Sequence, residues 1–215
     1  MAEAARKTRT PAWLKFTLIF IAVAFTAMTI LFRANWHFYS IASGSMEPTL
    51  RVGDYLAARN GPFEPDEISR GEVIVYLQAE QNIPFISRLI GKGGDRIQMI
   101  DGMIYLNGDA LPVSPLDDYQ LQEPGNRVST VRRFEEVLDG RRYETLNLRD
   151  DGAGDNTGVI EIPEGHVFVM GDNRDNANDS RFGAGFVPAE KIIGKARTIY
   201  WSPSRESPVG PIPVR

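Results

Sequence analysis

The sequence predicts a mainly β protein that carries one N-terminal transmembrane helix. Near its start, an uncharged apolar run is long enough to cross a bilayer. Beyond residue 35, short β-branched and aromatic runs alternate with glycine, proline, asparagine and aspartate, a pattern typical of strands joined by turns. The same region contains no long segment with the 3.6-residue periodicity of an amphipathic helix.

The N-terminal apolar run favours a membrane anchor. Residues 16–32 contain no charged side chain and would span about 26 Å as a helix, slightly less than the hydrocarbon core, and Trp13 and a snorkelling Lys15 extend the span. A cleavable signal peptide would have a shorter apolar region followed by small residues, whereas Arg33 and aromatic residues follow this run. A buried core helix is disfavoured because the run has no polar face.

The charges around this run predict its orientation. Arg6, Lys7 and Arg9 precede it, and basic residues favour the cytoplasmic side of a membrane. The remainder of the chain is then expected on the far side. We therefore divide the chain into a cytoplasmic basic tail (1–13), a transmembrane anchor (14–33) and an exported β domain of catalytic type (34–215).

Six runs predict strands in the exported part. The clearest are 97–100 and 103–106, because Asp101-Gly102 between them is close to the ideal two-residue hairpin turn. Asn107-Gly108 predicts a further turn. The other predicted strands are 72–77, 159–162, 166–170 and 196–201, and residues 188–193 favour one short helix.

Residues 111–158 differ in composition from the rest of the exported part. They are polar and rich in glycine, proline, aspartate and arginine, so we expect an inserted, exposed excursion from the β core. Their arginines alternate with acidic residues, which favours a solvated face over an anion-binding site.

The composition excludes several classes of function. Of the 215 residues, 42% are hydrophobic and 24% charged, an ordinary globular balance. The net charge of -4 gives no general attraction to nucleic acid. The absence of cysteine excludes a disulfide scaffold, a thiol nucleophile and a cysteine-based zinc site. Because the chain has only two histidines, an all-histidine metal cluster is impossible.

The most informative segment for chemistry is Ser43-Gly44-Ser45. Glycine permits tight backbone geometry, so a neighbouring serine can be exposed on a turn beside backbone N–H groups. On its own, the motif is more typical of an ordinary loop. A nucleophilic serine also needs a base, and neither His37 nor His166 has an obvious companion acid. A neutral lysine, whose pKa is lowered by burial, is the alternative base.

Four ordered segments resemble the sequence boxes of bacterial type I signal peptidases, which are Ser-Lys serine proteases. With the anchor, the resemblance extends over residues 14 to about 200, and its last segment is long and highly specific. The segments are 43–54 (SGSMEPTL followed by Gly-Asp), 70–75 (RGEVIV), 88–97 (RLIGKGGDRI) and 171–181 (GDNRDNANDSR).

This resemblance implies a membrane-bound serine endopeptidase with a signal-peptidase-type β fold. Such an enzyme removes signal peptides from exported preproteins after small-x-small motifs and uses no metal or cofactor. The implied location is the bacterial inner membrane, crossed once, with the C-terminal domain on the outer face. The implied partners are preproteins and membrane lipid, without nucleic acid, while the clients and the oligomeric state stay open.

The resemblance also implies roles for individual residues. Ser45 would attack the carbonyl carbon at the cleavage site, and its backbone N–H and the Ser43 hydroxyl would form the oxyanion hole. Asp179 and Arg181 would pair to brace the site. Framework positions would be Asp172, Asn173 and Arg174, and small apolar pockets would be lined by Ile41, Met46, Leu50, Phe85 and Ile86.

Two departures from the family pattern fall on one interaction. Ser87 occupies the position of the general-base lysine, and Ala177 that of a serine that hydrogen-bonds this lysine. Gly93 also replaces a proline of the third segment. A serine cannot act as a general base near neutral pH, and the adjacent Arg88 is effectively always protonated.

The missing lysine leaves three alternatives to an ordinary signal peptidase. The first is a catalytically impaired paralogue that binds signal peptides or membrane partners. The second is a protease with a substitute base, with Lys92 as first candidate, although we expect Lys92, Lys191 and Lys195 to be surface lysines. The third, a self-cleaving repressor of the related Ser-Lys fold, is disfavoured by the anchor and the lack of a DNA-binding module.

Overall fold

The computed structural model describes residues 11–63, 67–78, 83–123, 127–203 and 212–214. The chain forms two compact units that divide after Trp36. The first contains a helix, and the second, from His37 onward, is a β domain that contains all the residues assigned above to the site.

The helical unit contains α1 (Ala12–Asn35), which includes the predicted anchor range. From Trp13 to Asn35 it is long and apolar enough to cross a membrane. Three threonine hydroxyls donate to carbonyl oxygens one turn earlier, at 2.8 to 3.0 Å, so these donors are satisfied as a helix in hydrocarbon requires. The bonds run from Thr17 to Trp13, from Thr26 to Ala22 and from Thr29 to Phe25.

The described part of the chain contains sixteen strands, several of them very short. They are β1 (Trp36–Ser40), β2 (Tyr55–Asn60), β3 (Val73–Leu77), β4 (Pro84–Lys92), β5 (Arg96–Ile100), β6 (Met103–Leu106), β7 (Asp109–Ala110), β8 (Val113–Pro115), β9 (Tyr119–Glu123), β10 (Arg127–Leu138), β11 (Arg141–Asn147), β12 (Ile160–Glu161), β13 (His166–Met170), β14 (Val187–Pro188), β15 (Ile192–Trp201) and β16 (Ile212–Pro213).

The main sheet positions the site. Its strand order is β1-β2-β15-β3-β4-β13-β14, and β16 pairs with β15. In the antiparallel pair β3–β4, Ile74 lies opposite Ser87, and Tyr76 lies opposite Phe85. Opposed residues share one face of a sheet, and alternate residues of a strand do so as well, so Tyr76 and Ser87 lie on the same face.

The predicted hairpin is confirmed. β5 and β6 pair antiparallel, with Ile100 opposite Met103, in a second sheet of order β12-β5-β6-β7. Both turn residues have positive φ, 49° at Asp101 and 77° at Gly102, as a type I′ turn requires. The short helix expected at 188–193 is a single 3-10 turn, Ala189–Lys191, because β15 begins at the next residue.

The region 111–158, expected from its composition to be a polar, exposed insertion, also contributes buried side chains. The region forms a third sheet of order β11-β10-β8, with β9 paired to β10. Leu138 and Tyr143 of this sheet are buried in a core cluster with residues of β5, β6 and β13. The polar composition comes from outward-facing charged residues that pair with one another across β10 and β11, such as Arg142 and Glu135.

Candidate active site

The turn formed by residues 43–46 is fixed by the core beneath it, and we call it the nucleophile turn because the sequence resemblance implies that Ser45 is the nucleophile. Gly44–Met46 form a 3-10 turn after β1. Met46 and Leu50 are buried and pack with Ile41 in one core cluster, which stabilises the segment by roughly 1.5–3 kcal/mol per side chain. Ser45 is half-buried and Ser43 is exposed, so both hydroxyls remain at the surface of a groove.

This groove brings together all the residues for which the sequence analysis implies a catalytic or pocket role. Its volume is about 370 Å³, in the range of small-ligand pockets. The nucleophile turn forms one wall, the beginning of β4 a second, and residues 176–179 a third. The predicted residues that line it are Ile41, Ser43, Ser45, Met46, Leu50, Phe85, Ile86 and Ser87.

The two serines of the turn are in mutual contact. The backbone N–H of Ser45 donates a hydrogen bond of 3.2 Å to Ser43 Oγ. This contact places the N–H and the hydroxyl close enough to donate to one carbonyl oxygen, provided that the Ser43 side chain rotates to release the N–H. Two such donors, held in place before the reaction, are what an oxyanion hole needs.

Asn173 holds the carbonyl groups of the nucleophile turn. Its backbone N–H donates to the Ser45 carbonyl oxygen at 3.0 Å, and its Nδ2 donates to the Gly44 carbonyl oxygen at 3.0 Å. Gly171 permits this close approach, because a Cβ there would lie 2.5 Å from the Ser45 oxygen and would overlap the Ala177 methyl group. Ala177 therefore lies directly beside the turn.

Two buried ion pairs brace these segments. Arg88 donates from Nε and Nη2 to Asp172 at 2.7 and 2.6 Å, and each of these side chains is only 1% exposed. The Thr49 hydroxyl donates to the same carboxylate at 2.5 Å. Asp179 and Arg181 form the expected pair, with two bonds of 2.9 Å between guanidinium and carboxylate. The first pair ties the fourth sequence box to β4, and the second lies within that box.

At the expected base position, Ser87 faces a phenol. Its Oγ lies 3.4 Å from the Tyr76 hydroxyl, and both residues are buried. Burial raises the pKa of Tyr76; the hydrogen bond with Ser87 opposes this rise and the charge of Asp179 adds to it. The phenol is therefore neutral at physiological pH and does not act as a general base.

The groove itself offers little acid–base chemistry. Among the described residues that line it, Asp179 is the one titratable side chain, and Arg181 occupies both of its oxygens. In the part of the chain that the structure describes, no group of three or more His, Asp or Glu side chains is arranged to hold a metal ion. Serine hydroxyls, amides and apolar groups make up the rest of the lining.

None of the described lysines lines the groove. Lys92 borders a separate depression on the surface, and Lys191 lies in the 3-10 turn before β15. The expectation that Lys195 is a surface lysine is wrong, since it is 5% exposed and its Nζ lies 3.4 Å from Glu72 Oε2. Lys195 is buried because it lies opposite Ile74 on a packed face of the main sheet, with a counter-charge nearby.

Known proteins resemble this chain over most of its length. A model of the family described as signal peptidase, peptidase S26, matches residues 11–201. The signal peptidase I of Rickettsia typhi (strain ATCC VR-144 / Wilmington) is 33% identical over 192 residues, covering 76% of this chain and 71% of the relative. That of Rickettsia canadensis (strain McKiel) is 31% identical over 225 residues, covering 91% and 81%. A signal peptidase I crystal structure from Enterococcus faecalis V583 matches at 23% identity with a TM-score of 0.37, covering 63% of this chain and 98% of that chain. Because the family model and the Rickettsia relatives match most of its length, the chain belongs to the signal peptidase S26 family.

Proposed function

We propose that this protein is a membrane-anchored serine endopeptidase that removes signal peptides from exported preproteins after small-x-small motifs. The observation that carries the proposal is the groove in which Ser45, Ser43 and five predicted apolar side chains meet. Its curated relatives are signal peptidases I, which supports the same reaction. The apolar α1, preceded by basic residues, supports a single pass through the bacterial inner membrane with a cytoplasmic N-terminus.

In the proposed reaction, the preprotein lies in the groove with its scissile carbonyl carbon beside Ser45. The Ser45 Oγ attacks this carbon, and the Ser45 N–H and the Ser43 hydroxyl donate to the oxygen that becomes negative. The peptide bond then breaks, the departing amine takes up a proton, and water hydrolyses the acyl-enzyme. The proton of the serine has to pass to a base for the attack to be fast.

The apolar lining supports the preference for small residues at the first and third places before the cut. Ile41 and Leu50 are buried, and Ile86 is half-buried and packs against the same core cluster. A large substrate side chain would have to displace packed core groups, which costs about 1–3 kcal/mol. Alanine or glycine side chains need no such displacement.

A second function is favoured by the base position. Two hydroxyls, from Ser87 and Tyr76, stand where the family has an amine, and no described lysine lines the groove. The loss of a general base lowers a rate by about 10²–10⁴, while oxyanion donors retain part of the acceleration. The protein would then be an impaired paralogue that binds signal peptides and cuts them slowly or not at all.

Cleavage of a small-x-small preprotein by the full-length protein in detergent tests the two functions, with Ser45→Ala as control. Cleavage by the unmodified protein that is lost in Ser45→Ala supports the endopeptidase. Binding of a labelled signal peptide without cleavage, followed by fluorescence anisotropy, supports the impaired paralogue. If neither protein binds the signal peptide, both functions are wrong.

The proposed orientation has its own test. Protease added outside spheroplasts should digest the part of the chain after residue 36, while a tag placed at the N-terminus stays protected. Full protection of the β domain would show that it faces the cytoplasm. The proposed membrane topology would then be wrong, whatever the outcome of the cleavage assay.

A further inference from the structure

We propose that the third sheet positions the nucleophile turn, and that Glu136 of β10 and Tyr143 of β11 are the side chains that do so. Neither residue lines the groove. Each contacts an arginine that is connected to the segment Asp172–Arg174, and this segment in turn holds the backbone of Ser45. The inference rests on the proposed role of Ser45 as nucleophile and assigns a function to the region 111–158.

Glu136 acts through Arg174. Its Oε2 lies 2.6 Å from Arg174 Nη2, and both side chains are only 6% exposed. The Arg174 Nε donates to the Gly171 carbonyl oxygen at 3.2 Å, so the guanidinium also fixes the start of the segment. Arg174 directly follows Asn173, whose N–H holds the Ser45 carbonyl. Removal of the Glu136 carboxylate would leave the guanidinium charge of Arg174 buried and unpaired, which is strongly unfavourable. We therefore expect Arg174 to shift, and the segment to shift with it.

Tyr143 acts through Arg88. The guanidinium carbon of Arg88 lies 4.0 Å from the centroid of the Tyr143 ring, a favourable cation–π distance. Arg88 therefore has the ring on its face and the Asp172 carboxylate at its edge. The Tyr143 hydroxyl is buried and has no hydrogen-bond partner among the described residues. The ring, rather than the hydroxyl, is the part of Tyr143 that positions Arg88.

Backbone contacts join the same sheet to the same segment. The Leu146 N–H donates to the Asp172 carbonyl oxygen at 2.9 Å. Asp175 Oδ2 accepts the backbone N–H groups of Leu148 at 2.8 Å and Arg149 at 3.0 Å. The end of β11 thus holds the start of the segment through Asp172, and the two residues that follow β11 hold Asp175, directly after the segment.

The test compares Glu136→Gln with Glu135→Gln in the full-length protein in detergent. Glu135 is adjacent in the same strand and also pairs with an arginine, Arg142, at 2.6 Å, but that arginine is exposed. Backbone hydrogen exchange is measured for residues 43–46 and 171–174, with residues 192–195 of β15, which pack in a different core cluster from Tyr143, as internal reference. We expect Glu136→Gln to accelerate exchange at these two segments by at least about tenfold and Glu135→Gln to leave it unchanged.

A second pair of variants covers the case in which Glu136→Gln fails to fold. Tyr143→Phe keeps the ring over Arg88 and should leave exchange at both segments unchanged, whereas Tyr143→Leu removes the ring and should accelerate it. Unchanged exchange in Tyr143→Leu and in a folded Glu136→Gln would overturn the inference. A uniform acceleration that includes residues 192–195 of β15 would also overturn it, since it would indicate a general loss of stability.

Kinetics separate positioning from simple binding. Wherever cleavage is measurable, including a variant with a restored base, Glu136→Gln should lower kcat by at least about tenfold with KM changed less than about threefold, and Glu136→Asp should recover part of the loss. A change confined to KM would contradict the positioning role. Failure of the proposed function has a different signature: cleavage would survive Ser45→Ala, and the exchange results would be unaffected.

Discussion

Ser87, in the wall of the groove that contains Ser45, has its Oγ 3.4 Å from the hydroxyl of the buried Tyr76. The position that the sequence resemblance assigns to the general base therefore holds the Ser87 hydroxyl, with that of Tyr76 next to it. Burial keeps the pKa of Tyr76 above its ordinary value, so this pair does not remove a proton near neutral pH. Under the proposed roles, the groove keeps the oxyanion and binding groups but has no group at Ser87 that would activate Ser45.

Removal of the turn hydroxyls should separate catalysis from binding. Ser45→Ala should abolish cleavage and leave signal-peptide affinity within about threefold, and Ser43→Ala should lower the cleavage rate by about 10²–10³, the usual loss for one oxyanion donor. Initial cleavage rates and fluorescence anisotropy measure the two effects. Ser40→Ala, in the same groove, is the control and should cleave normally. A Ser43→Ala variant as fast as the unmodified protein would contradict the oxyanion role.

Gly171→Ala should distort the nucleophile turn. The added methyl group would lie 2.5 Å from the Ser45 carbonyl oxygen, which is backbone, so the turn or the segment has to move. Gly158→Ala is a matched control, because its Cβ would meet nothing within 4 Å. We expect a lower Tm and weaker signal-peptide binding for Gly171→Ala only. Equal Tm and equal affinity in the two variants would show that the close approach is not needed.

Much of the β domain is predictable where turn chemistry is strong. The Asp101-Gly102 hairpin is one case, and Asp139-Gly140, with φ of 49° and 80°, joins β10 to β11 by the same signal. Composition alone does not predict this second hairpin, because the outward faces of its two strands carry polar residues. β4 is harder to predict, since it carries Arg88, whose burial depends on a carboxylate 84 residues away.

The candidate site is likewise predictable only in part from the sequence. Its groove residues follow from the family resemblance, and the fold brings them together. Tyr76 could have been suspected from the predicted strand 72–77, but its contact with Ser87 depends on the register between β3 and β4. Glu136 and Tyr143 lie far from the sequence boxes, and only tertiary packing brings them to Arg174 and Arg88.

Lysine substitutions should show that no described lysine replaces the base. Lys92→Ala and Lys191→Ala should leave cleavage unchanged, because neither residue lines the groove. Lys195→Met breaks the buried pair with Glu72 and should lower the free energy of unfolding. The loss should be smaller than the about 3–5 kcal/mol typical of a broken buried pair, because Arg197 also lies 3.3 Å from Glu72. Urea unfolding and initial rates measure these effects. Loss of cleavage in Lys92→Ala would identify it as a substitute base.

The stability of the domain should fall in acid through Asp95. Burial raises the pKa of this carboxyl, but hydrogen bonds from Arg70, the Lys92 N–H and Asn107 lower it by more, so the folded pKa is below the ordinary value. A carboxyl with a depressed folded pKa stabilises the protein above its unfolded pKa of about 4, and this contribution is lost as the pH falls through the folded value.

Asp95→Asn should therefore lower the free energy of unfolding at pH 7 and have a smaller effect near pH 3. Urea unfolding at both pH values measures the difference. Asp101→Asn, at the exposed β5–β6 turn, is the control for removal of one acidic charge. An effect of Asp95→Asn that is equal at both pH values would show that the charge of Asp95 does not stabilise the fold.

Restoring the base should require two changes. Ser87→Lys alone would place an amine in the groove wall, where burial lowers its pKa toward the range of a general base. Ala177 lies beside the nucleophile turn, and Ala177→Ser would add a hydroxyl to orient that amine. The double variant should therefore cleave a small-x-small preprotein faster than Ser87→Lys alone, and by roughly 10²–10⁴ over the unmodified protein.

The comparison needs Ala177→Ser alone and the double variant with Ser45→Ala as controls. The first should remain as slow as the unmodified protein, because a hydroxyl without an amine has no base to orient, and the second should not cleave. If Ser87→Lys alone reaches the rate of the double variant, the Tyr76 hydroxyl orients the amine instead, and Tyr76→Phe in that background should then lower the rate. If the unmodified protein already cleaves as fast as the double variant, a base outside the described groove acts on Ser45, and the assignment of Ser87 as the site of a lost base is wrong.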